Sequence, residues 1–193
     1  MHGLTSFAAA LGATLAAAAL PTVALAAGTT DRQPEATAIF VNGKGAKTGE
    51  AQLFETPSGV LIHVEVKGLP AGKWVAFHAH EHGACSPGDG HKAAGGHFNP
   101  TGAKHGYFAE GGPHAGDMPN QRVGSDGVLR AEVFAPMLSL GGAGRASSDV
   151  SGRTLMIHAK PDDYVSQPAG DAGDRLACAP VVRAGAGGKG GHH

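Results

Sequence analysis

Charge is the first thing this chain lacks. Met1 to Thr30 contains no Asp, Glu, Lys or Arg, and the whole 193 residues carry only Lys+Arg 15 against Asp+Glu 16, a formal net charge of -1. Without a Lys/Arg-rich run, and with aromatic residues at 5% to stack on bases, a nucleic-acid partner is excluded as a working idea. Long hydrophobic runs are also missing. The longest, Ala8 to Leu20, falls short of the roughly 20 residues that span a bilayer, so no stable membrane span is expected. Gly 32 and Pro 12 punctuate the chain too often for long helices, and no βαβ rhythm is visible. Cysteine is down to two residues, Cys85 and Cys178.

What is present begins with a leader. The uncharged start, the Ala8 to Leu20 run, Pro21 and the small residues Ala24-Leu25-Ala26-Ala27 have the form of a secretory signal peptide, residues 1–27, cleaved near Ala26 or Ala27. Its n-region offers His2 and the amino terminus in place of the usual Lys or Arg. Export to the periplasm or beyond follows, and in an exported chain the two cysteines are expected to form a disulfide. Closing so long a loop is worth about 4 to 5 kcal/mol in the chain-entropy model.

Residues 28–35 read as a flexible polar segment, 36–183 as one domain, and the Gly/His-rich tail 184–193 as disordered. Within the domain, Ala36 to Val41, Gln52 to Glu55, Val60 to Val66, Trp74 to Glu81, Val128 to Phe134, Arg153 to Lys160, and the pieces Leu176 to Cys178 and Val181 to Val182 read as strands. Leu138 to Leu140 is a further short apolar piece. Turn signals such as Asn42-Gly43, Pro57-Ser58-Gly59 and Ser125-Asp126-Gly127 separate them. Seven or eight short strands with two long loops predict an all-β antiparallel sandwich or flattened barrel whose loops carry the chemistry.

That chemistry concentrates between Trp74 and Asp117. Along a strand alternate side chains share a face, so His78 and His80 project together while Phe77 and Ala79 point the other way. His97, His105, His114 and Asp117 follow in Gly/Pro-rich sequence that must fold back over that strand, at a cost in chain entropy unless something ties it down. His158 ends a later strand. Imidazole suits zinc and copper, whereas softer sites want thiolates and calcium wants several carboxylates. A histidine-dominated metal site is the reading. His63, His82 and His91 fit no such pattern and read as ordinary surface positions.

The blocks His-x-His, Gly-His-Phe-Asn-Pro, His-Gly, Pro-His-x-Gly-Asp, Gly-Arg-Thr-Leu-x-x-His and Arg-Leu-Ala-Cys occur in that order. In these the chain resembles the copper/zinc superoxide dismutase family, bacterial periplasmic type, over about Ala36 to Val182. The resemblance implies a flattened eight-stranded Greek-key barrel or sandwich, an architecture already known for that family. It implies His78, His80, His97 and His158 as copper ligands and His97, His105, His114 and Asp117 as zinc ligands, with His97 bridging. It further implies that Asp162 links His78 and His105 by hydrogen bonds, and that Arg175 stands beside the copper channel. The activity implied is conversion of two superoxide ions, the small anionic substrate, to dioxygen and hydrogen peroxide by copper redox cycling, with zinc structural and His97 and Arg175 as catalytic residues. The loop Ser166 to Asp171 lacks the Lys and Thr that eukaryotic members place there. A copper- and zinc-binding protein of the same fold that buffers metal without catalysis is the alternative, and both a monomer and a homodimer stay open.

Overall fold

Val60, Ile62, Val64 and Val66 alternate with Leu61, His63 and Glu65, and the computed structural model, which describes residues 32–142 and 144–185, turns that alternation into a strand with one face inward. Eight such strands are present: β1 (Ala36–Asn42), β2 (Lys47–Thr56), β3 (Gly59–Val66), β4 (Trp74–His80), β5 (Asp117–Arg122), β6 (Leu129–Ala135), β7 (Thr154–His158) and β8 (Arg175–Arg183). They pair antiparallel in the order β5-β4-β7-β8-β1-β2-β3-β6. The two ends of that order, β5 and β6, touch without pairing, so the sheet curls into a nearly closed barrel. Short 3-10 turns at Lys92–Ala94 and Ala146–Ser148 are the helical elements among the described residues.

The inward faces meet in one core that includes Phe40, Leu53, Ile62, Phe77, Leu129, Leu155 and Ile157, all fully buried. Each such side chain contributes roughly 1.5 to 3 kcal/mol by leaving water. On β4 the alternation does double duty. Phe77 and Ala79 enter this core, while His78 and His80 are equally buried on the other side, under the loops. β7 is buried on both faces: Leu155 and Ile157 join the core, and Met156 packs with Ala94 and Cys178 in a small second cluster.

Several boundaries differ from the sequence reading. β2 begins five residues earlier than Gln52, because Glu50 and Gln52 face solvent while Ala51 and Leu53 face the core. β7 ends at His158, where a register shift against β8 breaks the ladder. The two pieces foreseen near the C-terminus are one strand, β8, which accommodates Pro180. Leu138 and Leu140 are buried in a loop, with a single bridge from Ser139 to Asp149. The strand not foreseen is β5, Asp117-Met118-Pro119-Asn120-Gln121-Arg122, whose polar sequence hides its pairing with β4. It lies at the end of the strand order, where a proline is tolerated. The leader 1–27, part of the segment 28–35 and most of the tail lie outside the described residues.

The barrel supports the site through its core, so truncation there is expected to act on stability first. Phe77→Ala should cost about 3 to 5 kcal/mol in urea unfolding of the metal-depleted protein; a change near zero would show that β4 does not rely on that packing.

Candidate metal centre

Two long segments close over one side of the barrel, 81–116 between β4 and β5 and 159–174 between β7 and β8. The first is stitched to β4 at its root: the Phe98 amide donates to Ala79 O (2.7 Å), the Ala79 amide to Gly116 O (2.9 Å) and the Gly116 amide to Phe98 O (2.9 Å). His80 and His97 form an isolated antiparallel bridge beside it. The two segments are also tied to each other. Gln167 exchanges hydrogen bonds with both backbone groups of His105, and Asn120 on β5 anchors the second segment through both backbone groups of Asp162. The Tyr107 hydroxyl donates to Asp117 O and the Asn120 amide to the Tyr164 hydroxyl, each at 2.7 Å.

His78, His80, His97, His105, His114, Asp117, His158 and Asp162 are all buried there. Their hydrogen bonds decide which ring nitrogens are left over. A carboxylate or carbonyl only accepts, so the ring nitrogen facing one carries the proton. His78 Nε2 donates to Asp162 Oδ2 (2.9 Å), His80 Nδ1 to Gly95 O (3.0 Å) and His158 Nδ1 to Gly173 O (3.2 Å). Lone pairs therefore remain on His78 Nδ1, His80 Nε2 and His158 Nε2, and the last two lie 3.3 Å apart. His97 Nε2 and His78 Nδ1 are buried with no hydrogen-bond partner, although their rings are 4.1 Å apart between centroids. Four imidazoles thus present unused donor atoms to one spot, each within 4.8 Å of the others.

A second set adjoins it through the same ring. Asp117 accepts from His97 Nδ1 at 2.8 Å, and His105 Nδ1 and His114 Nδ1 lie 3.0 and 3.4 Å from its oxygens. Its Oδ2 also accepts the Gly106 and His114 amides. His97, His105, His114 and Asp117 again offer donor atoms within 4.8 Å of one another, and His97 belongs to both sets. Nitrogens bound at 2.0 to 2.1 Å to one tetrahedral ion are about 3.3 to 3.4 Å apart. The His80–His158 distance of 3.3 Å and the His97–His114 distance of 3.5 Å match that spacing. The residues fit two ions that share an imidazole, and imidazole-rich sets favour zinc or copper.

Asp162 links the two sets from behind. Its Oδ2 accepts from His78 and its Oδ1 from His105 Nε2, both at 2.9 Å. Gly170, at φ +67, lets the second loop pass close by; a side-chain carbon there would overlap the Asp162 carboxylate and crowd the His105 ring. Burial disfavours charge on both carboxylates, but the histidine hydrogen bonds outweigh it and hold Asp117 and Asp162 well below the usual carboxylate range. His105 answers them. Burial opposes its charge, yet the bonds to Asp117 and Asp162 raise its pKa to about 9. For His97 and His158 burial dominates, lowering them to about 4 and about 3, and for His80 it lowers the pKa well below the ordinary value.

Arg175, paired across strands with His158, is clamped by two carbonyls: Nη1 donates to His91 O (2.9 Å) and Nη2 to Gly95 O (2.7 Å). It shares the wall of a cleft of about 440 Å³ with His158, Gln167 and Pro168, so an anion entering the cleft meets a fixed cation beside the first donor set. Cys85 and Cys178 form the expected disulfide, Cα atoms 5.9 Å apart, which binds the first loop to β8. Of the three histidines read as surface positions, His82 is exposed and His63 half-buried on β3 beside Phe54 and Glu132. His91 differs: it is fully buried behind the disulfide. Its left-handed backbone (φ 56), in a turn closed by its amide on Ser86 O, swings the ring inward. Asn120, Tyr107, Tyr164 and Gln167 were not singled out from sequence, because hydrogen bonds between the loops and from the loops to β5 leave no periodic signal.

An antiparallel barrel whose loops bring two abutting donor sets onto a pair of strand histidines defines a class of dinuclear metalloprotein. Comparison supplies the family. The model described as "Copper/zinc superoxide dismutase (SODC)" matches residues 47–181. "Superoxide dismutase [Cu-Zn] 1" of Aquifex aeolicus is 49% identical over 145 residues, 75% of this chain and 85% of the relative. "Superoxide dismutase [Cu-Zn]" of Caulobacter vibrioides is 40% identical over 149 residues, 76% and 84% of the two chains. Among solved structures, a SOD-like protein from Bacillus subtilis superposes with TM-score 0.70 at 34% identity, covering 74% of this chain and 95% of that one. The Cu/Zn superoxide dismutase from Brucella abortus gives 0.63 at 31%, covering 76% and 99%. The chain belongs to the copper/zinc superoxide dismutase family.

Two outcomes are expected from this geometry. Asp162→Ala should weaken metal retention about 10- to 100-fold in chelator competition, since partners behind a ligand orient it; unchanged retention would contradict the linking role. In the metal-free protein, unfolding frees His80, His97 and His158 to take protons at about pH 6.5 that the fold resists down to about pH 4 for His97 and about pH 3 for His158. His105, raised to about 9, contributes fully below pH 6.5 and adds no slope there. Denaturant midpoints should therefore fall as pH drops from about 6.5 to 4, and a flat profile would contradict the buried neutral rings.

Proposed function

We propose that the chain is an oxidoreductase that dismutes superoxide: two superoxide ions and two protons give one dioxygen and one hydrogen peroxide. We assign His78, His80, His97 and His158 as the copper ligands and His97, His105, His114 and Asp117 as the zinc ligands. The observation that carries the reading is that His97 belongs to both donor sets, Nε2 facing one and Nδ1 the other. When bound, copper supplies the one-electron couple for both halves of the reaction, and zinc a redox-silent charge that orders the loop.

The chain's own residues do the rest. His97 Nε2, buried with its lone pair unused, is the atom that takes up one proton and passes it to the reduced oxygen leaving as peroxide. Burial keeps that ring neutral until it is needed, so the proton is given up readily. Arg175 draws the anion into the cleft and holds it beside His158, its guanidinium fixed by His91 O and Gly95 O. Because Ser166 to Asp171 contains no cation, Arg175 carries the attraction at the mouth. Asp162 keeps His78 and His105 turned so that one nitrogen of each faces its ion.

We place the domain at 36–183, behind a leader of residues 1–27 and a short segment 28–35 and ahead of the Gly/His tail 184–193, and locate the mature protein in the periplasm. The Cys85–Cys178 disulfide suits an oxidising compartment, and no helix among the described residues is long and apolar enough to cross a membrane.

The test is a superoxide-loss assay on copper- and zinc-loaded protein beside its His97→Ala variant. The loaded protein should be active, and the variant should lose about 100-fold or more of that activity together with its zinc retention. Tight binding of both metals with no loss of superoxide would point to the buffering alternative, and an active variant that keeps its zinc would remove His97 from the mechanism.

A further inference from the structure

Outside the two donor sets, the described residues hold one more group of metal-ligating side chains: Cys85, His91 and Cys178, whose ligand atoms lie within 4.8 Å of one another. Two of the three are spent on the disulfide. The third is unexplained. His91 has 0% exposure, and neither Nδ1 nor Nε2 has a hydrogen-bond partner. Leaving a buried polar group unmatched costs roughly 1 to 3 kcal/mol. The backbone at φ 56 is one that most side chains avoid, so the ring is delivered inward at some expense.

We propose that Cys85, Cys178 and His91 form a third metal site, selective for a thiophilic ion such as Zn(II) and available only while the two cysteines are thiols. The chemistry of the set points there. Two thiolates and an imidazole suit zinc and monovalent copper, and Met156, in the same small apolar cluster, adds a polarisable lining. Cα atoms 5.9 Å apart let the sulfurs stand about 3.8 Å from each other, as two Zn–S bonds of about 2.3 Å require. Burial lowers the His91 pKa and keeps the ring in the neutral form that ligates. The bonds balance simply: each thiol gives up its proton on binding, and closure of the disulfide by a thiol oxidant removes both sulfur ligands at once. The site is distinct from those of the proposed dismutase chemistry, since neither principal set contains sulfur.

That difference supplies the test. Protein already loaded with copper and zinc is treated with a water-soluble trialkylphosphine, which becomes the phosphine oxide with oxygen from water as the disulfide becomes two thiols. Cobalt(II) is then titrated as a stand-in for zinc. A thiolate-to-cobalt charge-transfer absorption, which histidine and carboxylate ligands cannot give, should appear in the reduced protein at one equivalent and be missing from the oxidised one. His91→Asn, which keeps a residue tolerant of positive φ, should weaken that binding about tenfold or more. Reduced protein that keeps its β circular dichroism but shows no such band, or that loses its fold, overturns the site. Equal affinity in His91→Asn removes His91 from it.

Discussion

One imidazole that belongs to two donor sets is the constraint on which the other features depend. His97 Nδ1 lies against Asp117 while Nε2 faces the partnerless Nδ1 of His78. For one ring to serve two donor sets, its own loop must be fixed to within a fraction of an ångström. The hydrogen-bond triangle among Ala79, Phe98 and Gly116 does this from the strand side, and the disulfide does it from β8. A loop of irregular backbone is thereby made as well defined as a strand, which preorganised donors require.

Burying so many imidazoles is costly unless their N–H groups find acceptors and any charge is balanced. The structure solves this with two carboxylates that differ in task. Asp117 sits among three Nδ1 atoms and belongs to a donor set, whereas Asp162 touches the far side of His78 and His105 and belongs to none. Placing Asp162 between the sets means that neither can reorient alone. The backbone carbonyls of Gly95 and Gly173 play the same part for His80 and His158, and Gly95 O also holds Arg175. The His80 ring and the Arg175 guanidinium are thus coupled through a single peptide group.

The sequence made the scaffold legible wherever a strand is buried on one face. Val60 to Val66 and Val128 to Phe134 declare themselves by alternation, and both appear close to where the pattern ends. It failed at β5, where Pro119 and polar neighbours follow Asp117, a member of the second donor set, so that polar residues overwrote the strand signal. The His78-x-His80 pair was readable because a period of two needs no tertiary information. That the Gly/Pro-rich stretch with His97, His105, His114 and Asp117 folds back over that strand was readable too, but which of these and His158 share a donor set was available only through family resemblance, since loop closure leaves no periodicity to read. His91 shows the limit from the other side. It matches no ligand block, and only its burial beside the disulfide reveals it as more than a surface residue.

The most direct measurement of the central claim is anomalous diffraction from crystals of the copper- and zinc-loaded protein, collected at both absorption edges. The account predicts two peaks on opposite sides of the His97 ring, each about 2.0 to 2.1 Å from one of its nitrogens, with His78, His80 and His158 around one and His105, His114 and Asp117 around the other. Peaks at separate places with His97 bound to one ion or to none would contradict it.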